Sequence, residues 1–146
     1  LITLLVQCHF KAFNKPLVNY GETKKLGSNL HSIIFTMKNP VIAHGCEKNP
    51  LLFYANAAAL QLWHLKWNKM IGMPSNLTAP PNQRESRELI LQKAEINNAI
   101  DGYEGIRIDS KGNKFIIYNA RIWTLKDSQG EVHGQAATFN EWDWVE

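Results

Sequence analysis

The sequence predicts an α+β fold, a five-stranded antiparallel sheet with helices across one face and two further helices ahead of it. Three observations carry this expectation. Apolar residues recur at helical spacing from Ile2 to Met37 and again beyond Asn82. Two short β-favouring runs flank a turn-rich loop near Gly45, and from Tyr103 onward the period becomes that of strands, broken twice by Asp-x-x-Gly.

Ile2, Leu5, Val6, His9, Phe10 and Phe13 fall on one side of a helix over residues 2–14, which Pro16 ends. A second helix is expected from an N-cap at Thr23, with Leu26, Leu30, Ile33, Ile34 and Met37 as its stripe, stopping before Asn39 and Pro40. Val41 to His44 and Leu51 to Tyr54 read as a hairpin around Gly45 to Pro50. Asn56 can accept a bond from a free first-turn amide and so cap a helix from Ala57 to Trp63. A short helical turn, residues 67–73, closes at Gly72 and Pro74, and an irregular stretch leads to Pro81.

Asn82 followed by Glu85 resembles a capping box, and Leu89, Ile90, Lys93, Ala94, Ile96 and Ile100 are expected to form the inner face of a long helix that Gly102 ends. Three strands follow, at residues 103–108, 115–125 and 132–139. The connectors Asp109 to Gly112 and Asp127 to Gly130 each open on a side chain that bonds its own turn and close on a glycine free to take positive φ, so the three form a meander.

A chain of 146 residues with 45% hydrophobic and 20% charged residues supports one domain with its own core. Sixteen Lys and Arg against thirteen Asp and Glu leave a net +3, and the charges are scattered, so no nucleic-acid footprint is present. The adjacent pair Lys24 and Lys25 reads as a solvated face. Leu1 to Val6 is too short to span a membrane, and Cys8 and Cys46 form no C-x-x-C pair, so a reducing, cytoplasmic setting with no membrane contact is expected. Nucleotide, zinc-protease and hydrolase motifs do not occur, and catalysis has no anchor in the sequence.

Several stretches resemble the MEKHLA family, a group related to PAS domains. They are His44-Gly45, Tyr54 to Leu60 and Trp67 in the first half, then Pro74-Ser75, Arg84-Glu85, Gly105 to Ile108, Gly112, Ala120, Trp123 and Gly134 to Ala137. The likeness runs from Val41 through Phe139. It implies a sheet of order 2-1-5-4-3, a helical extension over residues 1–38 and a MEKHLA/PAS-like domain over residues 39–142. It also implies a sensory or regulatory role. The family's plant members carry a homeodomain and zipper, for which this sequence has no counterpart.

Haem-binding PAS domains use a histidine on the long helix, and photosensory ones a cysteine in the helical middle; residues 84–100 hold no histidine and residues 63–81 no cysteine. The cofactor is therefore unassigned. The resemblance implies a cavity lined by His44, Tyr54, Asn56, Arg107, Trp123 and Gln135. Strand parity groups Tyr103, Gly105 and Arg107 on one face and Glu104, Ile106 and Ile108 on the other, and either set can face inward. The spacing of Phe115, Ile117, Ala120 and Trp123 calls for a bulge near Asn119. Gln135 shares a face with Ala137 and Phe139 and can serve a ligand or the fold alone. The expected partners are a small molecule, a protein, or a second copy joined through the N-terminal helices.

Overall fold

The computed structural model describes residues 1–18 and 29–146; Thr23, Lys24 and Lys25 lie outside the described residues. In chain order it contains α1 (Ile2–Phe13), α2 (Leu30–Thr36), β1 (Val41–His44), β2 (Leu52–Ala55), α3 (Ala57–Trp63) and α4 (Trp67–Met70). Two 3-10 turns (Ser75–Thr78 and Pro81–Gln83) lead into α5 (Arg84–Asn97), β3 (Ala99–Ile108), β4 (Lys114–Lys126), β5 (Val132–Thr138) and β6 (Glu141–Trp144). The sheet order is β2-β1-β5-β4-β3, as expected, and its pairings are antiparallel.

The sixth strand was not foreseen. It pairs Tyr118 with Glu141 and Phe115 with Trp144, which keeps the register set by Arg121 and Thr138 in the β4–β5 ladder. Strand β6 thus continues β5 along the same edge of β4 after an interruption at Phe139 and Asn140.

That interruption sits opposite a bulge. Tyr103 pairs with Ala120 and Gly105 with Ile117, so β4 spends one more residue than β3 between these pairs, and Asn119 takes a φ of 51°. A bulge reverses side-chain parity. Phe115 and Ile117 before it, and Ala120 and Ile122 after it, therefore face α3 to α5, while Trp123 and Leu125 face α1. The two turns of the meander form as their residues require: Asp109 Oδ1 accepts from the amides of Lys111 and Asn113, and Asp127 Oδ1 from those of Gln129 and Glu131.

Helices cover both faces of the sheet. Trp63, Leu62 and Met70 pack with Ile42, Phe115 and Phe139 on one side. On the other, α1 and α2 bring Leu5, Val6, Ile33 and Ile34 onto Val41, Ala43, Trp123 and Leu125. The apolar stripe of α1 is thereby covered within the chain, and Phe10, 50% exposed, is left outside it. Asn29 caps α2, accepting from the Ser32 amide at 2.9 Å.

Helix α5 departs most from expectation. Gln83 precedes it with no side-chain cap, and it ends at Asn97, with Asn98 left-handed at φ 63°, so Ile100 and Gly102 belong to β3. Its buried residues are Arg87 and Ala94, whereas Leu89 and Ile96 are 61% and 81% exposed. The expected stripe was drawn through apolar residues, but an arginine occupies the inner face.

His9 is fully buried on α1, with ring centroids 4.9 Å from both Phe13 and Trp123. Its Nδ1 donates to the Lys15 carbonyl at 2.9 Å, and Arg121 approaches Nε2 at 3.5 Å, an arrangement that suits neutral imidazole. Burial is the main reason its pKa falls to about 4. The unfolded chain binds a proton near pH 6.5 that the folded chain refuses, so stability should drop as pH falls from 6.5 toward 4, by about 2–3 kcal/mol. Urea unfolding at stepped pH checks this, and a His9→Phe variant should show a shallower decline over the same window.

Candidate functional site

Between α5 and the sheet lies a cavity of about 30 Å³, walled by Ile42, Trp63, Ile117, Ala120, Ile122 and Phe139 and lined on its polar side by His44, Arg87, Tyr103, Arg107 and Gln135. It adjoins a more open groove of about 310 Å³ that shares His44, Arg87, Leu91 and Gln135 and adds Ser75, Asn76, Arg84 and Glu88. The sheet supplies the floor because β1, β3 and β5 present alternate residues to this face. His44 lies opposite Gln135 in the β1–β5 ladder.

Arg107 points inward, so the polar set Tyr103, Gly105 and Arg107 faces the helices. Its Nη1 donates to the Ile106 carbonyl at 2.9 Å, its Nη2 approaches the Tyr103 hydroxyl at 3.3 Å, and the guanidinium lies 5.4 Å over the tyrosine ring. Gly105 stands between the two on the same face, and a Cβ there would collide with the Tyr103 hydroxyl. Only glycine lets these side chains close over that position. Gly134, at φ 146°, plays a similar part beside β1, where a Cβ would strike the His44 carbonyl.

Arg87 comes down from α5 onto the same cavity. Both arginines are 6% exposed, and among the described residues neither has a carboxylate within ion-pair distance. Burial, followed by the charge of Arg107, lowers the Arg87 guanidinium to about 10, and it remains protonated at neutral pH. His44 is 8% exposed; its Nδ1 donates to the Gly45 carbonyl at 3.0 Å, and its Nε2 is buried without a partner. Burial, with the Arg87 charge adding to it, lowers the pKa of His44. Asn76 Oδ1, in the outer groove, is also buried and unpartnered. Gln135 Nε2 is engaged with the Leu91 carbonyl at 2.8 Å.

The MEKHLA domain profile matches residues 1–144, nearly the whole sequence. The chain belongs to the MEKHLA domain family. No curated protein matches it. Among solved structures it is similar to the PAS domain of a protein from Colwellia psychrerythraea, with a TM-score of 0.68 and 12% identity over 84% of this chain and 97% of that one. It is also similar to an RNA-binding Light-Oxygen-Voltage receptor, with a TM-score of 0.67 and 12% identity over 87% of this chain, which spans 35% of that receptor. A third likeness is to the Cys71Ser mutant of Vivid, at a TM-score of 0.56 and 16% identity over 70% of this chain and 81% of that one. At such identities these likenesses show the fold.

In this MEKHLA domain three of the six residues expected at the cavity, His44, Arg107 and Gln135, meet there. The other three do not. Trp123 sits beyond the bulge and is buried against α1. Asn56 is a fully buried brace between α2, β1 and α3. Tyr54 packs on the α1 side, its ring centroid 6.1 Å from that of Trp67.

The Tyr54 hydroxyl is buried without a partner among the described residues, and burial raises its pKa to about 12. Removing an unsatisfied buried polar atom relieves its desolvation. Tyr54→Phe should leave stability unchanged or raise it by about 1 kcal/mol; a loss of that size in thermal unfolding would mean the hydroxyl is bonded.

Arg87 and Asn76 are the lining residues that the sequence did not disclose. Arg87, Leu91 and Ala94 share one side of α5 at i, i+4 and i+7 spacing, and a stripe admitting one arginine would have found them. The remaining histidines serve the fold or the surface where described: His64 Nδ1 meets Asp109 at 2.6 Å, and His133 Nε2 meets Asp127 at 2.9 Å. Asp127, Glu131 and His133 bring ligand atoms within 4.8 Å of one another at an exposed turn, where Asp127 is already occupied in capping. No helix among the described residues is long and apolar enough to cross a membrane.

Proposed function

We propose that this MEKHLA domain is a sensory or regulatory module that binds a small molecule between α5 and the sheet and passes its occupancy to a protein partner. One observation carries the reading. Arg87 and Arg107 are two like charges buried together with no carboxylate in ion-pair distance among the described residues, which costs stability and is expected where a ligand completes the site. The core of the binding set is His44, Arg107 and Gln135 joined by Arg87. The inner cavity is lined by no carboxylate, and a non-catalytic role fits that lining. In this reading residues 1–38 are a helical extension on a module of residues 39–142, the setting is cytoplasmic, and neither nucleic acid nor membrane is engaged.

A filled-core interaction domain is the second reading, favoured by the small inner volume and by Leu1, just ahead of α1, and Phe10 on it, 57% and 50% exposed. A second copy would dock on that outer face, since Leu5 and Val6 are already covered. Native mass spectrometry of the purified protein separates the two. A small-molecule mass lost on denaturation supports the module; a dimer of bare chains supports the filled core.

A further inference from the structure

We propose that the cavity takes a small carboxylic acid bearing a hydroxyl or amino group next to its carboxylate. The inference rests on the small-molecule reading above and adds the chemistry of the ligand. Two guanidinium groups, Arg87 on α5 and Arg107 on β3, line the same space; Nη1 and Nη2 of Arg107 each keep one N–H beyond those given to Ile106 and Tyr103, and a planar carboxylate matches such paired donors. The inner volume of about 30 Å³ is room for roughly two water-sized atoms, which suits two carboxylate oxygens and is short for the four of a phosphate.

Acceptors complete the pattern. A carbonyl oxygen can only accept, so the bond to Gly45 places the His44 hydrogen on Nδ1 and leaves Nε2 as a bare lone pair in the neutral ring. A carboxylate alone would leave that lone pair unmet. A neighbouring hydroxyl or ammonium donates to it, and Asn76 Oδ1 offers a further acceptor where the outer groove begins. The rest of the acid then extends into the groove of about 310 Å³ beside Leu91.

Titration calorimetry of the full chain at constant ionic strength tests this with lactate, alanine, propionate, inorganic phosphate and chloride. Lactate or alanine should bind at least roughly tenfold tighter than propionate, a step of about 1.4 kcal/mol, with phosphate and chloride showing no saturable binding. Arg107→Lys keeps the charge but loses the fork and should weaken binding by about tenfold or more. Arg87→Met should abolish binding while its unfolding midpoint stays at or above that of the unchanged protein, because an unpaired buried charge is removed. His44→Phe should erase the preference for lactate over propionate while propionate still binds. Equal affinity for propionate and lactate, or phosphate binding as well as either, would overturn the assignment. If all the acids fail while native mass spectrometry finds another bound molecule, this inference falls and the sensory reading stands; if neither binds, both fall.

Discussion

Replacing Asn56 by leucine should destabilise the fold by roughly 4 kcal/mol. Its Oδ1 accepts from the Val41 amide at 2.9 Å and the Ala59 amide at 3.1 Å, and its Nδ2 donates to the carbonyls of Ile34 at 3.1 Å and Asn39 at 2.8 Å. One side chain thus ties the end of α2, the start of β1 and the first turn of α3, in a place with no exposure to water. Leucine keeps the volume but strands two amides and two carbonyls, and each stranded group costs about 1–3 kcal/mol before relaxation. Urea unfolding decides it: a loss below about 1 kcal/mol for Asn56→Leu would show that water or a shifted backbone replaces the four bonds.

Trp123→Ala should cost about 3–5 kcal/mol. The indole is fully buried, donates from Nε1 to the Leu5 carbonyl at 3.2 Å, and meets His9 edge to face at an interplanar angle of 81°. Losing it opens a cavity under α1 and removes one of the bonds that hold the first half of that helix to the sheet. The damage should concentrate there, so protease cleavage within residues 1–15 should accelerate before global unfolding. Binding at the α5 face should survive under conditions where the variant is folded, because the sheet separates Trp123 from Arg87 and Arg107. A variant that keeps its stability and loses ligand would return Trp123 to the cavity.

The residues that disclosed themselves in the sequence did so through local chemistry. Asn56 before an apolar helical run can do little else than cap, and it does accept from the Ala59 amide. Asp109 and Asp127 close their turns for the same local reason. The family likeness nonetheless implies a place at the cavity for Asn56, because capping is visible along the chain whereas its bonds to Ile34, Asn39 and Val41 come from segments brought together by folding.

Trp123 shows how a correct local reading can still misplace a side chain. The bulge near Asn119 was legible from spacing, but its effect is to turn Trp123 away from the face that holds Phe115 and Ile117. Leu89 and Ile96 on α5 failed in the opposite way: they look like core in a helical wheel and lie outside, since the side of the helix that meets β3 and β4 carries Arg87, Leu91 and Ala94.

By itself the sequence determined the class of fold, the strand order through the family likeness, the Asn56 cap and the meander turns, and the inward set of Tyr103, Gly105 and Arg107 as one of two parities. Those properties depend on residues near one another along the chain. The tertiary structure alone decided that Arg87 faces Arg107, that among the described residues His44 Nε2 is left without a partner, and that the apolar stripe of α1 covers the sheet. Such facts arise between residues far apart in sequence, where burial turns an ordinary surface arginine into an uncompensated charge, and no local pattern records which residues burial will bring together.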